Sequence, residues 1–137
     1  MNNFTPISKD RLNGCHPDLQ ILFEHVNENY PCTILVGVRG QADQDAAVAA
    51  GKSKDPWPTS KHNQVPSLAV DAAPLPLDWV DIRRFYHFAG YVLAVAESLG
   101  IKVRYGGDWK GDRLMNPPHT LNDLDHWELI VDNPVQT

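Results

Sequence analysis

Apolar residues recur at helical spacing in two stretches of the chain. After His16-Pro17, the residues Leu19, Leu22, Phe23 and Val26 fall at i, i+3, i+4 and i+7, which puts them on one face of an α-helix. Pro17 suits the first turn of that helix, and Tyr30-Pro31 ends it. A longer stripe, Phe85, Phe88, Val92, Val95 and Leu99, predicts a helix capped by Asp78 and stopped by Gly100. The Ala-rich segment from Ala42 to Ala50 predicts a third helix that Gly51 stops. Four short apolar or β-branched runs read as strands: Thr33 to Val38 with Arg39 at its end, Leu68 to Ala72, Ile101 to Tyr105, and His126 to Val131. Residues 51–67 and 106–122 are long polar loops, and loops of that length inside a domain are often functional. Helices do not alternate strictly with strands, and several connections are hairpin-like. The expected fold is therefore α+β, a small, mostly antiparallel sheet flanked by helices.

Length and charge narrow the classes. A chain of 137 residues corresponds to about one domain, so residues 1–137 are expected to form a single unit. Pro clusters at 56–58, 66–76 and 117–118 mark loops rather than a domain linker. The composition, 42% hydrophobic and 21% charged, is that of a globular protein able to fold without a staple. A net charge of -5 argues against a nucleic-acid binder held by a basic surface. The chain contains no apolar run long enough to cross a bilayer, so no membrane insertion is expected. Met1 to Pro6 has neither the basic nor the apolar segment of a signal peptide. Cys15 and Cys32 are therefore expected to be reduced thiols.

Three polar residues stand at strand positions. His62 precedes a strand, Asp71 lies within it, and His126 opens another. Two His and one carboxylate make a three-ligand set whose fourth tetrahedral position stays open, the pattern of catalytic zinc. An ionised Asp71 in Leu-Ala-Val-Asp-Ala-Ala is costly unless paired or metal-bound. Asp123, three residues before His126, can act as a general base toward water. Arg39 can stabilise an oxyanion. Glu128 shares a strand face with His126 and can fix its tautomer. Each residue also has a structural reading. Asp71 can pair with an arginine, His62 can be a loop residue, His126 a satisfied core histidine, Asp123 a turn former, and Arg39 a surface ion pair.

The order of the motifs weighs against those structural readings. Ser60-Lys61-His62, then Leu68-Ala69-Val70-Asp71, then Asp123-Leu124-Asp125-His126-Trp127-Glu128 resembles the zinc peptidases of the D-Ala-D-Ala carboxypeptidase and phage L-alanyl-D-glutamate endopeptidase family. The resemblance runs over nearly the whole chain. It includes Leu12 with His16-Pro17-Asp18-Leu19, Val36-Gly37-Val38-Arg39 with Gln44, and Arg104 to Trp109. It implies a hedgehog/D-Ala-D-Ala-peptidase-like fold and one catalytic Zn2+ ion held by His62, Asp71 and His126. It makes Asp123 the general base, Arg39 the carbonyl-polarising group, and Ser60 and Glu128 supporting residues. Trp57 and His119 are candidates to touch substrate. Between His62 and Asp71 lie eight residues, more than the commonest family spacing. The base is Asp where some carboxypeptidase relatives use Glu.

The activity implied is zinc-dependent hydrolysis of peptidoglycan stem peptides, most simply a phage endolysin cleaving the L-Ala-D-Glu bond. One alternative is a D,D- or L,D-carboxypeptidase that trims terminal D-Ala, but no group to capture a terminal carboxylate stands out in the sequence. Another is a zinc-binding interaction module that has lost catalysis; Asp123 and Arg39 argue against it. The expected partner is bacterial peptidoglycan, with the chain acting as a monomer. The resemblance places it in the host cytoplasm before release to the wall through a separate membrane lesion.

Overall fold

The two apolar stripes become the buried faces of two helices that pack on each other. The computed structural model describes residues 3–114 and 124–131. Among these, the helices are α1 (Pro6–Asn13), α2 (Pro17–Asn29), α3 (Gln41–Ala49) and α4 (Ile82–Leu99). The strands are β1 (Cys32–Val36), β2 (Ala69–Pro74), β3 (Val103–Tyr105) and β4 (His126–Leu129), and a 3-10 turn spans Lys61–Asn63. In α2, Leu19, Leu22, Phe23 and Val26 are fully buried, each such burial contributing roughly 1.5–3 kcal/mol before the entropy cost. In α4, Phe85, Phe88, Ala89, Val92 and Ala96 are buried, and Val95 and Leu99 pack at the edge of the same core. Gly100 ends α4 in the left-handed conformation, φ 71°, which a residue with a Cβ adopts at a cost.

Two local readings are corrected. Asp78 does not cap α4; Asp81 occupies that position. Asp78 Oδ1 instead accepts from the amides of Val80 and Asp81, closing a turn one step earlier. Helix α1 was not anticipated, because only Ser8 and Leu12 of it are buried and no apolar stripe marks it. Local capping forms it: Thr5 accepts from the Ser8 amide and Pro6 sits in the first turn.

The sheet has the order β1-β2-β4-β3, and every neighbouring pair is antiparallel. The expected α+β architecture is thus the observed one. Helix α4 packs on β2 and β3, and α1 packs on β1. β2 is buried along its whole length, because it lies between β1 and β4. Register pairs Val70 with Trp127 and Tyr105 with Trp127, and these side chains enter the core. Trp127 stacks on Tyr105 at 4.4 Å and meets Phe23 edge-on at 6.3 Å. Alternation along a strand then sends the neighbouring positions to the opposite face, where the candidate site lies.

Candidate metal centre

Register places Asp71 directly opposite His126, and Glu128 opposite Arg104. Residues directly opposite in a ladder share a face, so the four polar groups stand together. His62 arrives from the 3-10 turn. Ser60 caps that turn, accepting from the His62 amide at 3.2 Å, while Asn63 Oδ1 accepts from the Ser60 amide at 3.0 Å. The turn is sewn to the end of β1. The Arg39 amide donates to the His62 carbonyl at 2.8 Å, and Asn63 Nδ2 donates to the Arg39 carbonyl at 3.1 Å. The long His62–Asp71 connection is fastened by buried Ser67. Its amide donates to the Gly14 carbonyl at 2.9 Å and its hydroxyl to the Ala69 carbonyl at 2.6 Å. The extra residues are therefore absorbed before β2 begins.

One donor atom from each of His62, Asp71 and His126 lies within 4.8 Å of the others. His62 Nε2 is 3.2 Å from Asp71 Oδ1, and His126 Nδ1 is 3.3 Å from the same oxygen. The outer ring nitrogens are both spoken for. His62 Nδ1 lies 2.8 Å from the Gly37 carbonyl, which can only accept, so that nitrogen carries the hydrogen. His126 Nε2 lies 2.9 Å from Glu128 Oε1, and an ionised carboxylate likewise only accepts. Each ring therefore has its other nitrogen facing Asp71, where it donates to the carboxylate in the metal-free protein and would offer a lone pair to a bound ion. Three potential ligand atoms converge on one point, where a bound cation could be held. Two ligands at zinc bonding distance and a tetrahedral angle are about 3.4 Å apart, close to the spacings observed. The donor set thus fits a metal with one open position.

The electrostatics follow from the same contacts. Burial alone would raise Asp71, but the bonds from His126 and His62 outweigh it and hold the carboxyl well below the usual range. Burial would lower His126, yet its bonds to Asp71 and Glu128 push it up to about 9. Burial would raise Glu128, but His126 and Lys61 bring it down to about 2. Lys61 Nζ is 3.1 Å from Glu128 Oε2 and donates to the Leu129 carbonyl at 2.7 Å. Arg104 approaches the same Glu128 oxygen at 3.5 Å. The carboxylate that orients His126 is itself clamped by two cations.

A model of the phage L-alanyl-D-glutamate peptidase family matches residues 2–130. The chain belongs to this family. An L-alanyl-D-glutamate peptidase of Escherichia phage T5 is 33% identical over 132 residues, covering 90% of this chain and 94% of that protein. The crystal structure of the Serratia marcescens L-Ala D-Glu endopeptidase ChiX superposes with a TM-score of 0.72 at 30% identity. It covers 93% of this chain and 89% of that one.

The remaining residues picked out in this peptidase-family chain fall as follows. Arg39 Nη2 stands 3.7 Å from Asp71 Oδ2, and its Nη1 donates to Gln44 Oε1 at 3.2 Å, so it borders the ligand set. Asp123 and His119 lie outside the described residues. Trp57 is half-buried. Trp79 lines the cavity beside Asp71 and Arg39, and Trp109 stands 5.4 Å from the His126 ring. His16 caps α2, its Nδ1 accepting from the Asp18 amide at 3.0 Å. Asp108 accepts from the amides of Asp112 and Arg113 and so serves its own turn.

Sequence reasoning missed Lys61, Gly37 and Asp125. Asp125 lines the same cavity, its Oδ1 has no hydrogen-bond partner among the described residues, and burial and the Asp71 charge push it up to about 8. An acid adjoining a ligand histidine was a signal for Asp125. Lys61 and Gly37 stand inside the recognised motifs, but they act through contacts far apart in sequence, so their roles were not legible there.

Proposed function

We propose that this chain is a zinc-dependent endopeptidase that hydrolyses the L-alanyl-D-glutamate bond of peptidoglycan stem peptides, as a phage endolysin. The observation that carries the reading is the convergence of His62 Nε2, His126 Nδ1 and Asp71 Oδ1, with both outer ring nitrogens held by Gly37 and Glu128. The names of the phage T5 and Serratia relatives supply the bond.

His62, Asp71 and His126 would hold the ion. Bound there, zinc supplies Lewis acidity, polarising a carbonyl and bringing water to a pKa of about 7. The chain supplies the rest. Gln44 holds the Arg39 guanidinium beside Asp71, where it presents donors to the carbonyl oxygen as negative charge grows there. Asp123 takes the proton of the attacking water and passes it to the departing amine. Glu128, clamped by Lys61 and Arg104, keeps His126 in the tautomer that presents Nδ1. The chain acts as a monomeric single domain on the bacterial wall, reaching it from the host cytoplasm through a separately made membrane lesion. No described helix is long and apolar enough to cross a membrane.

The test is digestion of purified sacculi with the zinc-loaded protein, followed by N-terminal labelling and mass spectrometry. New amino groups on D-Glu are expected. Asp123→Asn should abolish them while leaving zinc binding intact. Release of free D-Ala without new D-Glu termini would replace this reading with a carboxypeptidase.

A further inference from the structure

A cavity of about 490 Å3 opens beside the ligand set, within the range of sites that hold small ligands. Leu35 and Val36 form apolar lining, Trp79 contributes an aromatic wall, and Asp71 marks the metal side. Two cations line it, Arg39 and Lys52. Arg39 is engaged with Gln44 and Asp71. The Lys52 side chain is exposed, and its ammonium group has no hydrogen-bond or ion-pair partner among the described residues.

The position of Lys52 is set by the same buried amide that sets Arg39. Gln44 is fully buried. Its Oε1 accepts from Arg39 Nη1 at 3.2 Å and from Asn63 Nδ2 at 3.1 Å. Its Nε2 donates to Ser53 Oγ at 3.0 Å and to the Asp55 carbonyl at 2.6 Å. The Lys52 amide closes the end of α3 on the Ala47 carbonyl at 2.9 Å, after Gly51 at φ 75°. One side chain thus fixes both cation-bearing segments along the cavity.

A D-glutamate on the amine side of the scissile bond has two carboxyl groups. One continues the chain as an amide, and the other remains a free anion. The ligand set and Arg39 are committed to the scissile carbonyl. We propose that Lys52 binds that free carboxylate and makes the enzyme select an acidic residue on the leaving side. This rests on the endopeptidase reading above and adds the specificity determinant to it. A lysine ammonium is a mobile point charge, suited to an anion attached through a flexible side chain.

The experiment compares two synthetic stem peptides on the zinc-loaded full chain. One carries L-Ala-D-Glu with the free carboxylate, and the other has that carboxylate converted to the amide. The parent should prefer the carboxylate peptide. An exposed charge-assisted bond predicts a preference of about two- to fivefold in kcat/KM, expressed in KM. Lys52→Met should erase the preference while leaving kcat on the amidated peptide unchanged. Lys52→Arg should retain most of it, and Lys52→Glu should invert it. Melting curves of the variants should match the parent, because the side chain is exposed. If the parent cleaves both peptides and Lys52→Met keeps the parental ratio, the proposal is overturned alone. If the parent cleaves neither, the endopeptidase reading falls and takes this proposal with it.

Discussion

Gly37 joins the candidate metal-ligand set to the N-terminal helix, and replacing it with alanine tests how the site is held. Its carbonyl accepts from His62 Nδ1 at 2.8 Å. A Cβ at this position would lie 2.3 Å from the Arg11 carbonyl oxygen and 3.2 Å from both Arg11 C and Cys15 Sγ. The close neighbour is backbone at the end of α1, where the Arg11 carbonyl also accepts from the Gly14 amide, so it cannot rotate aside. Relief to ordinary contact needs a displacement of about 1 Å, and a 2.8 Å bond stretched by that amount is no longer a hydrogen bond. Two effects oppose each other in Gly37→Ala. Reduced freedom of the unfolded chain stabilises by about 0.4–1 kcal/mol, whereas overpacking costs about 1–3 kcal/mol. The clash is with backbone, so the cost wins and the net effect is destabilising. Freed from its carbonyl partner, His62 loses the tautomer that turns Nε2 to the metal, and zinc affinity should fall by about 10–100-fold. Urea titration of the metal-free protein reads the first effect as a lower midpoint at unchanged slope. Competition with a chromophoric chelator reads the second. A Gly37→Ala protein with parental midpoint and parental zinc affinity would refute the argument that the Gly37 carbonyl orients the ligand.

Other outcomes follow from the same contacts. Lys61→Met removes the cation that links the His62-bearing turn to Glu128 and the Leu129 carbonyl. It should weaken zinc binding by about tenfold, and unchanged chelator competition would count against the clamp. Trp127→Ala empties a fully buried site between Tyr105 and Phe23. A loss of about 3–5 kcal/mol is expected in urea titration, and a loss well under that would mean the core closes around the gap. The Cys15 and Cys32 thiols are pushed up to about 12, mainly by burial, with the charges of Asp71 and Glu24 adding to it. Iodoacetamide at pH 8 should leave both unlabelled in the native protein and label both after unfolding. The unfolded thiols ionise above about 8.5 while the native ones stay protonated. The unfolded state therefore binds fewer protons there, and stability should fall as pH rises from that point toward 12. Rapid native labelling, or stability that holds over that range, would contradict the burial.

The chain determined by itself whatever depends on neighbours within a few residues. Stripes at i, i+3 and i+4 specified the buried faces of α2 and α4, and β-branched runs located the four strands. Residue type and motif order singled out His62, Asp71 and His126, because few chemistries need an acid inside an apolar strand. Local signals failed where local energy was ambiguous. Helix α1 has almost no apolar face, and Asp78 and Asp81 both resemble helix caps until the turn between them closes. Tertiary structure decided the rest. Which nitrogen His62 presents depends on the Gly37 carbonyl at the end of β1, and which nitrogen His126 presents depends on a Glu128 held by Lys61 from another element. Lys52 and Arg39 line one cavity because buried Gln44 bonds the segments that carry both. Hydrogen-bond partners distant in sequence meet only after the sheet register is set, so the identity of the candidate ligands was legible in the chain while their orientation and the groove beside them were not.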